Sequence, residues 1–104
     1  MTGRPLSAEV RRSVRVVNAQ GLHARPCHAI VSTALRFQSD LRIRGRGREV
    51  NGKSILELMT LSAGPGTELE LCARGSDAEA LLQALDERFR AGFDEELADR
   101  TSSA

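Results

Sequence analysis

The chain has no tryptophan and no tyrosine, and three phenylalanines are its only aromatic residues among 104. The flat rings on which single-stranded nucleic acids stack are therefore missing. Charge of one sign is lacking too: fifteen Lys and Arg stand against fourteen Asp and Glu, a net charge of +1. Such a balance gives no bulk field to draw nucleic acid or an anionic membrane surface. The two cysteines, Cys27 and Cys72, lack CxxC spacing, which argues against a disulfide framework or a zinc site and fits a reducing compartment. No apolar run has the length of a membrane span, and no signal-peptide pattern is visible. The expectation is a soluble cytoplasmic protein without metal or other cofactor. A chain this short supports one core, burying roughly 60% of its unfolded surface, and is of monomer size.

What is present is a regular succession of short patterns. Residues 1–10 hold Gly, Pro and Ser with little periodicity and read as a flexible extension. Residues 13–17 alternate as a strand with one buried face. A turn over residues 18–21 leads to an apolar period of three to four at Cys27, Ile30, Val31, Ala34 and Leu35, which predicts a helix over residues 24–37. Residues 41–44 and 48–50 form a hairpin across Gly45, Arg46 and Gly47, with Leu41 and Ile43 inward. Ser54 and Glu57 have capping-box spacing, and a short helix to about residue 61 follows. Residues 68–73 are the clearest strand, with Leu69, Leu71 and Ala73 facing the core. Ser76 and Glu79 repeat the box before a stripe of Leu81, Leu82, Leu85, Phe89 and Phe93. From residue 94 the chain is small and polar and reads as a flexible tail. The domain thus spans residues 11–93, between extensions at 1–10 and 94–104.

The order strand, helix, strand, strand, helix, strand, helix gives an α+β open-faced sandwich, a four-stranded antiparallel sheet with three helices on one face. Arg42, Arg44, Arg46 and Arg48 form a basic cluster. Alternation puts Arg42 and Arg44 on a solvated face where Glu68 and Glu70 of a neighbouring strand offset them. A charged surface is favoured there over a nucleic-acid patch.

One group of residues carries chemistry. Gly21, Leu22, His23, Ala24, Arg25 and Pro26 place an imidazole, a guanidinium and a helix-compatible proline at a helix mouth. Proline is tolerated in a first turn because its amide would have no intrahelical acceptor. Neutral imidazole is a nucleophile near pH 7. The free amides and the macrodipole favour an anion, and Arg25 can pair phosphate oxygens bidentately. This is a place to hold a phosphoryl group on a histidine nitrogen.

Those six residues resemble the active-site signature of the HPr family, the histidine-containing phosphocarriers of the bacterial phosphoenolpyruvate-dependent phosphotransferase system. The block from Val50 through Asn51, Gly52, Lys53, Ser54, Ile55, Leu56, Glu57 and Leu58 to Met59 is similar to the family's regulatory-serine segment. The resemblance covers roughly residues 13–92. It implies that His23 accepts a phosphoryl group on Nδ1 from enzyme I and passes it to an enzyme IIA-type domain, for sugar uptake or in a nitrogen-type regulatory branch. The chain would then be a phosphotransfer intermediate and not a stand-alone catalyst. Arg25 would stabilise the charge, and Ala24, His28, Ile55, Leu56 and Met59 would form the partner-docking surface. For Leu56 and Met59, core packing is the competing reading. Ser54 would be the site of an HPr kinase/phosphorylase, with Lys53 beside it and the Glu57 carboxylate opposing the phosphate. A helix N-cap alone also explains this serine.

Two other functions compete with the carrier. In a regulatory module, the Ser54 state would govern binding to a kinase or a transcriptional regulator. A thiol enzyme built on Cys27 would gain from the lowered thiol pKa expected at a helix start, with His23 and His28 nearby. It lacks an arranged base, and a small buried hydrophobe is favoured for Cys27. Where relatives place terminal groups near the active-site arginine, the longer C-terminus here departs from the pattern.

Overall fold

The computed structural model describes residues 8–98. Its elements are β1 (Glu9–Arg15), α1 (Ala24–Ala34), β2 (Asp40–Gly45), β3 (Arg48–Asn51), α2 (Ile55–Met59), β4 (Glu68–Arg74) and α3 (Ala78–Arg90), with a 3-10 turn at Gly92–Asp94. The strands form one antiparallel sheet in the order β1-β4-β2-β3. Alternation decides which face is covered. Val10 and Val14 lie opposite Ala73 and Leu69, and Ile43 lies between Leu71 and Val50. The helices cover that face with Cys27, Ile30 and Ala34 of α1, Leu58 of α2, and Leu81, Leu82, Leu85 and Phe89 of α3. Burying a side chain of Leu, Ile or Phe size contributes about 1.5–3 kcal/mol, so this one layer carries most of the fold's stability. The architecture is the expected open-faced α+β sandwich.

Several boundaries differ from those expected, each for a local reason. β1 starts at Glu9, inside the stretch assigned to the N-terminal extension; residues 1–7 of that stretch lie outside the described residues. The alternation there is obscured because Arg12 points to the covered face. Its guanidinium is accommodated by Gln83 at 3.0 Å and Asp86 at 3.4 Å on α3. α1 ends at Ala34, not residue 37: Arg36 and Phe37 turn back to the carbonyls of Thr33 and Ala34, three residues earlier. Leu35, expected in the buried period, is left exposed. α2 ends at Met59 in the same manner, through bonds from Thr60 and Leu61 to Glu57 and Leu58.

α3 stops at Arg90 because Gly92, Phe93 and Asp94 all have left-handed φ, at 62°, 56° and 62°. Phe93 is still buried, its ring edge-on to Phe89 at 4.9 Å. The reversal sends the chain back along the sheet. Residues 94–98, expected in the polar tail, are instead held by backbone bonds from Ala19 to Glu96 and from Ala98 to Val17, each 2.8 Å. Residues 99–104 of that tail lie outside the described residues.

On the sheet's open face, Arg44 meets Glu49 at 2.7 Å, Glu9 at 3.2 Å and Glu70 at 3.4 Å. Glu70 thus offsets Arg44 as expected, whereas Glu68 pairs with Arg15. Cys72 lies buried beneath this network, its thiol pushed up to about 11 chiefly by burial.

The Asp77 carboxylate fastens α3 to the α1–β2 turn. Asp77, not Ser76, is the α3 N-cap residue. Its side chain makes no cap bond to its own helix and accepts from the backbone amides of Gln38 (2.9 Å) and Ser39 (3.0 Å) and from the Ser39 hydroxyl. These bonds, led by that from Ser39, hold its pKa below the ordinary value.

Phe89→Ala is expected to cost about 3–5 kcal/mol in urea unfolding, the range for emptying a well-packed aromatic site. A loss below about 1 kcal/mol would show that the α3 stripe is not the keystone of the core. Asp77 is a carboxyl with a depressed folded pKa, so its stabilisation is complete above the unfolded value near 4 and is lost as pH falls through the folded one. Asp77→Asn should therefore be less stable than wild type at pH 7, with the gap narrowing as pH falls below the unfolded value near 4; urea midpoints from pH 7 downward measure it.

Candidate functional site

The site begins at a turn that only glycine allows. Gly21 has φ +71°, and a Cβ there would stand 2.5 Å from the Ala63 carbonyl oxygen and 2.9 Å from Gly64 Cα. Asn18 is fully buried and ties the turn with a bond from Nδ2 to the Gly21 carbonyl at 2.7 Å. Leu22 then donates its amide to Ala63, and the chain enters α1 with His23 at the N-cap position. His23 makes no side-chain cap bond. The first-turn amides that a Ser or Asp cap would engage are therefore left for another acceptor.

The return of the chain after α3 completes the site. The Glu95 Oε1 oxygen lies 3.0 Å from His23 Nε2 and 3.1 Å from Asn18 Nδ2, and Oε2 lies 3.8 Å from an Arg25 nitrogen. An ionised carboxylate only accepts, so Nε2 carries the hydrogen. Nδ1 of His23 has no hydrogen bond to any described residue. The bond from His23 is the largest influence holding the Glu95 pKa below its ordinary value, and Asn18 and Arg25 act in the same direction. His23 is about one-third exposed, and the Arg25 side chain is 78% exposed.

Ala19, Gln20, His23, Arg25, Asp94, Glu95 and Glu96 line a cavity of about 320 Å³. A larger one of about 500 Å³, bounded by Arg15, Val16, Val17, Gly66, Arg90, Leu97 and Ala98, contains no nucleophile. The chemistry therefore favours the smaller cavity. Among the described residues, no group of three or more His, Cys, Asp or Glu side chains could hold a metal ion.

The other predicted residues fall in three places. Ala24 and His28 are exposed on α1, where His28 Nδ1 is 3.5 Å from the Ser32 hydroxyl. Ile55 packs partly against the core, while Leu56 is 80% and Met59 42% exposed on α2, which packs beside α1. Those two are therefore surface residues, and Leu58 and Leu61 supply the core contacts instead. Ser54 is the α2 N-cap and accepts from the Glu57 amide at 3.2 Å. Glu57 reaches back past it to the Asn51 amide at 2.9 Å, and the Lys53 ammonium is bound to the Phe37 carbonyl at 3.0 Å.

Cys27 is buried, 3.7 Å from the Leu22 carbonyl, and burial pushes its thiol up to about 11. The lowered value expected at a helix start is overturned. The side chain faces the core, where desolvation of a thiolate outweighs the helix field. Sequence reasoning missed Asn18 and Glu95. The only signals were an asparagine before a Gly turn and an acidic run after the last apolar position.

These features are those of a small phosphoryl carrier, and the comparisons with known proteins agree. Residues 10–91 match the family described as "PTS HPr component phosphorylation site". The chain is 44% identical over 87 residues to the phosphocarrier protein HPr of Treponema pallidum, covering 84% of this chain and 99% of that protein. The crystal structure of HPr from Bacillus anthracis superposes with a TM-score of 0.75 at 40% identity, covering 79% of this chain and 98% of that one. The structure of HPr-C-His from Thermoanaerobacter tengcongensis gives 0.80 at 35% identity, with 85% and 99% coverage. The chain belongs to the HPr family, the phosphocarriers of the phosphotransferase system.

Both thiols should be inert in the folded protein. With pKa values near 11, about one in a thousand would be thiolate at pH 8. Titration with an aromatic disulfide reagent at pH 8 should find none reacting within minutes in buffer and two in guanidinium. A fast native reaction at Cys27 would revive a thiol function.

Proposed function

We propose that the chain accepts a phosphoryl group on His23 from phospho-enzyme I and delivers it to an enzyme IIA-type domain, acting in the cytoplasm as a monomer. The Nδ1 lone pair of His23 attacks phosphorus as the donor's own P–N bond breaks, and the electron pair of that bond leaves with the donor nitrogen. The reverse sequence passes the group on. Arg25 and the first-turn amides of α1 stabilise the phosphoryl oxygens without enclosing them. The observation that carries this reading is His23 at the uncapped mouth of α1, sharing a cavity with Arg25. Ala24, His28, Ile55, Leu56 and Met59 are the docking surface in this proposal. The exposure of Leu56 and Met59 supports it, since such residues beside a charged centre suit transient recognition.

Ser54 gives the second reading, a module whose binding to a transcriptional regulator is set by an HPr kinase/phosphorylase. It is favoured by the position of Ser54 at the head of α2, two residues before the exposed Leu56. It is opposed by the hydroxyl's cap bond and by the engagement of Lys53 elsewhere. The domain limits that go with either function run from β1 through the segment ending near residue 98.

His23→Ala is expected to abolish phosphoenolpyruvate- and enzyme I-dependent labelling, read as an acid-labile gain of one phosphoryl group by intact mass, with urea stability nearly unchanged. Retained acid-labile label would overturn the site. If the wild type gains no acid-labile group from a cognate enzyme I but an acid-stable one on Ser54 from ATP and the kinase, the regulatory reading takes its place.

A further inference from the structure

The carboxylate facing His23 comes from a segment outside the signature that names the site. Three consecutive left-handed residues turn the chain at Gly92–Asp94, and two backbone bonds lay residues 96–98 against residues 17–19. Non-glycine residues such as Phe93 and Asp94 hold that conformation only where the surroundings determine it. What the reversal delivers is one side chain. Glu95 Oε1 sits 3.0 Å from Nε2 of His23, and the buried Asn18 amide fixes the same oxygen at 3.1 Å. Asp94 and Glu96 line the same cavity, but neither is the partner of Nε2.

We propose that Glu95 is a positioning residue for phosphoryl transfer: it accepts the Nε2–H of His23, leaving Nδ1 as the nucleophile, and steadies the positive charge the ring gains as Nδ1 bonds phosphorus. This rests on the phosphocarrier reading of His23. A neutral imidazole has one lone pair on its two nitrogens, and the nitrogen that donates to a carboxylate cannot supply it. When Nδ1 bonds phosphorus, the ring becomes cationic with its proton still on Nε2, directly against Glu95. An aspartate behind the catalytic histidine of a serine protease acts in the same way. The carboxylate also opposes the incoming phosphoryl charge, and Arg25, 3.8 Å from its other oxygen, tempers that repulsion.

The test uses phosphoramidate on the full chain, because this donor phosphorylates imidazole without enzyme I. Its zwitterion transfers the phosphoryl group to a ring nitrogen and leaves as ammonia. The readouts are the rate and the nitrogen modified, assigned by 15N and 31P NMR, for wild type, Glu95→Ala, Glu95→Gln and Glu95→Asp. Wild type should label at Nδ1 alone. Glu95→Ala should label roughly tenfold or more slowly, with a substantial Nε2 product. Glu95→Gln, which keeps an acceptor but no charge, should stay at Nδ1 yet react slowly, and Glu95→Asp should recover part of the rate. Unchanged rate and regiochemistry in Glu95→Ala, or Nε2 labelling of the wild type, would overturn the proposal. A purely structural role for Glu95 would lower urea stability without moving the site of labelling, and that result overturns it too. A parallel arm with phosphoenolpyruvate and enzyme I on the wild type tests the carrier reading separately. If that arm fails while phosphoramidate separates the variants, the carrier reading falls and the transfer role proposed for Glu95 falls with it, leaving only its hold on the His23 ring. If that arm succeeds while the variants do not differ, the proposal for Glu95 alone falls.

Discussion

His23 stands where it does because Gly21 has no side chain. The chain leaves the first strand on one side of the sheet and must reverse within a few residues to start a helix over the covered face. The Ala63 carbonyl occupies the space a Cβ would need, so a substituent at Gly21 would push away the segment that also receives the Leu22 amide. Asn18 locks the reversal from inside. The N-terminus of α1, the direction of the His23 side chain and the packing of Cys27, Ile30 and Ala34 beneath it all follow from that close approach.

The covered and open faces of the sheet do different work. Beneath the helices the packing is apolar and continuous and takes in Cys27, while Cys72 is buried on the other face under charged side chains. Across the open face, charges alternate between strands and satisfy one another, with Arg44 bridging carboxylates from three strands, β1, β3 and β4. The basic run at residues 42–48 looks in one dimension like a nucleic-acid patch. In three dimensions, Arg44 at its centre is already paired with Glu49 beside the run and with Glu9 and Glu70, which are distant in sequence.

Much of this was legible in the chain itself. Period-two alternation located β2, β3 and β4, the 3.6-residue stripe located α3, and the His23 and Arg25 pair marked the helix mouth. The misses that matter most to the site and the sheet share one cause, a polar side chain whose partner lies far along the sequence. Arg12 broke the alternation of β1 because its partners, Gln83 and Asp86, are on α3. Asp77 looked like part of a capping box but serves the turn at residues 38–39. Glu95 looked like the start of a loose tail because no apolar period continues past Phe93, and its partners precede it by more than seventy residues. Hydrophobic patterning reports burial, and it is silent on where a lone carboxylate is anchored.

The anchoring of that carboxylate separates two scales of stability. Residues 94–98 are held to the domain by a few backbone bonds, by the Glu95 carboxylate on Asn18 and His23, and by Leu97, itself 53% exposed against Gly92. A segment with so little buried area opens far more often than the molecule unfolds. The electrostatic surroundings of His23 are thus governed by a local equilibrium that leaves the core untouched. Opening of that segment alone would remove the ring's counter-charge while the sheet and helices stay in place.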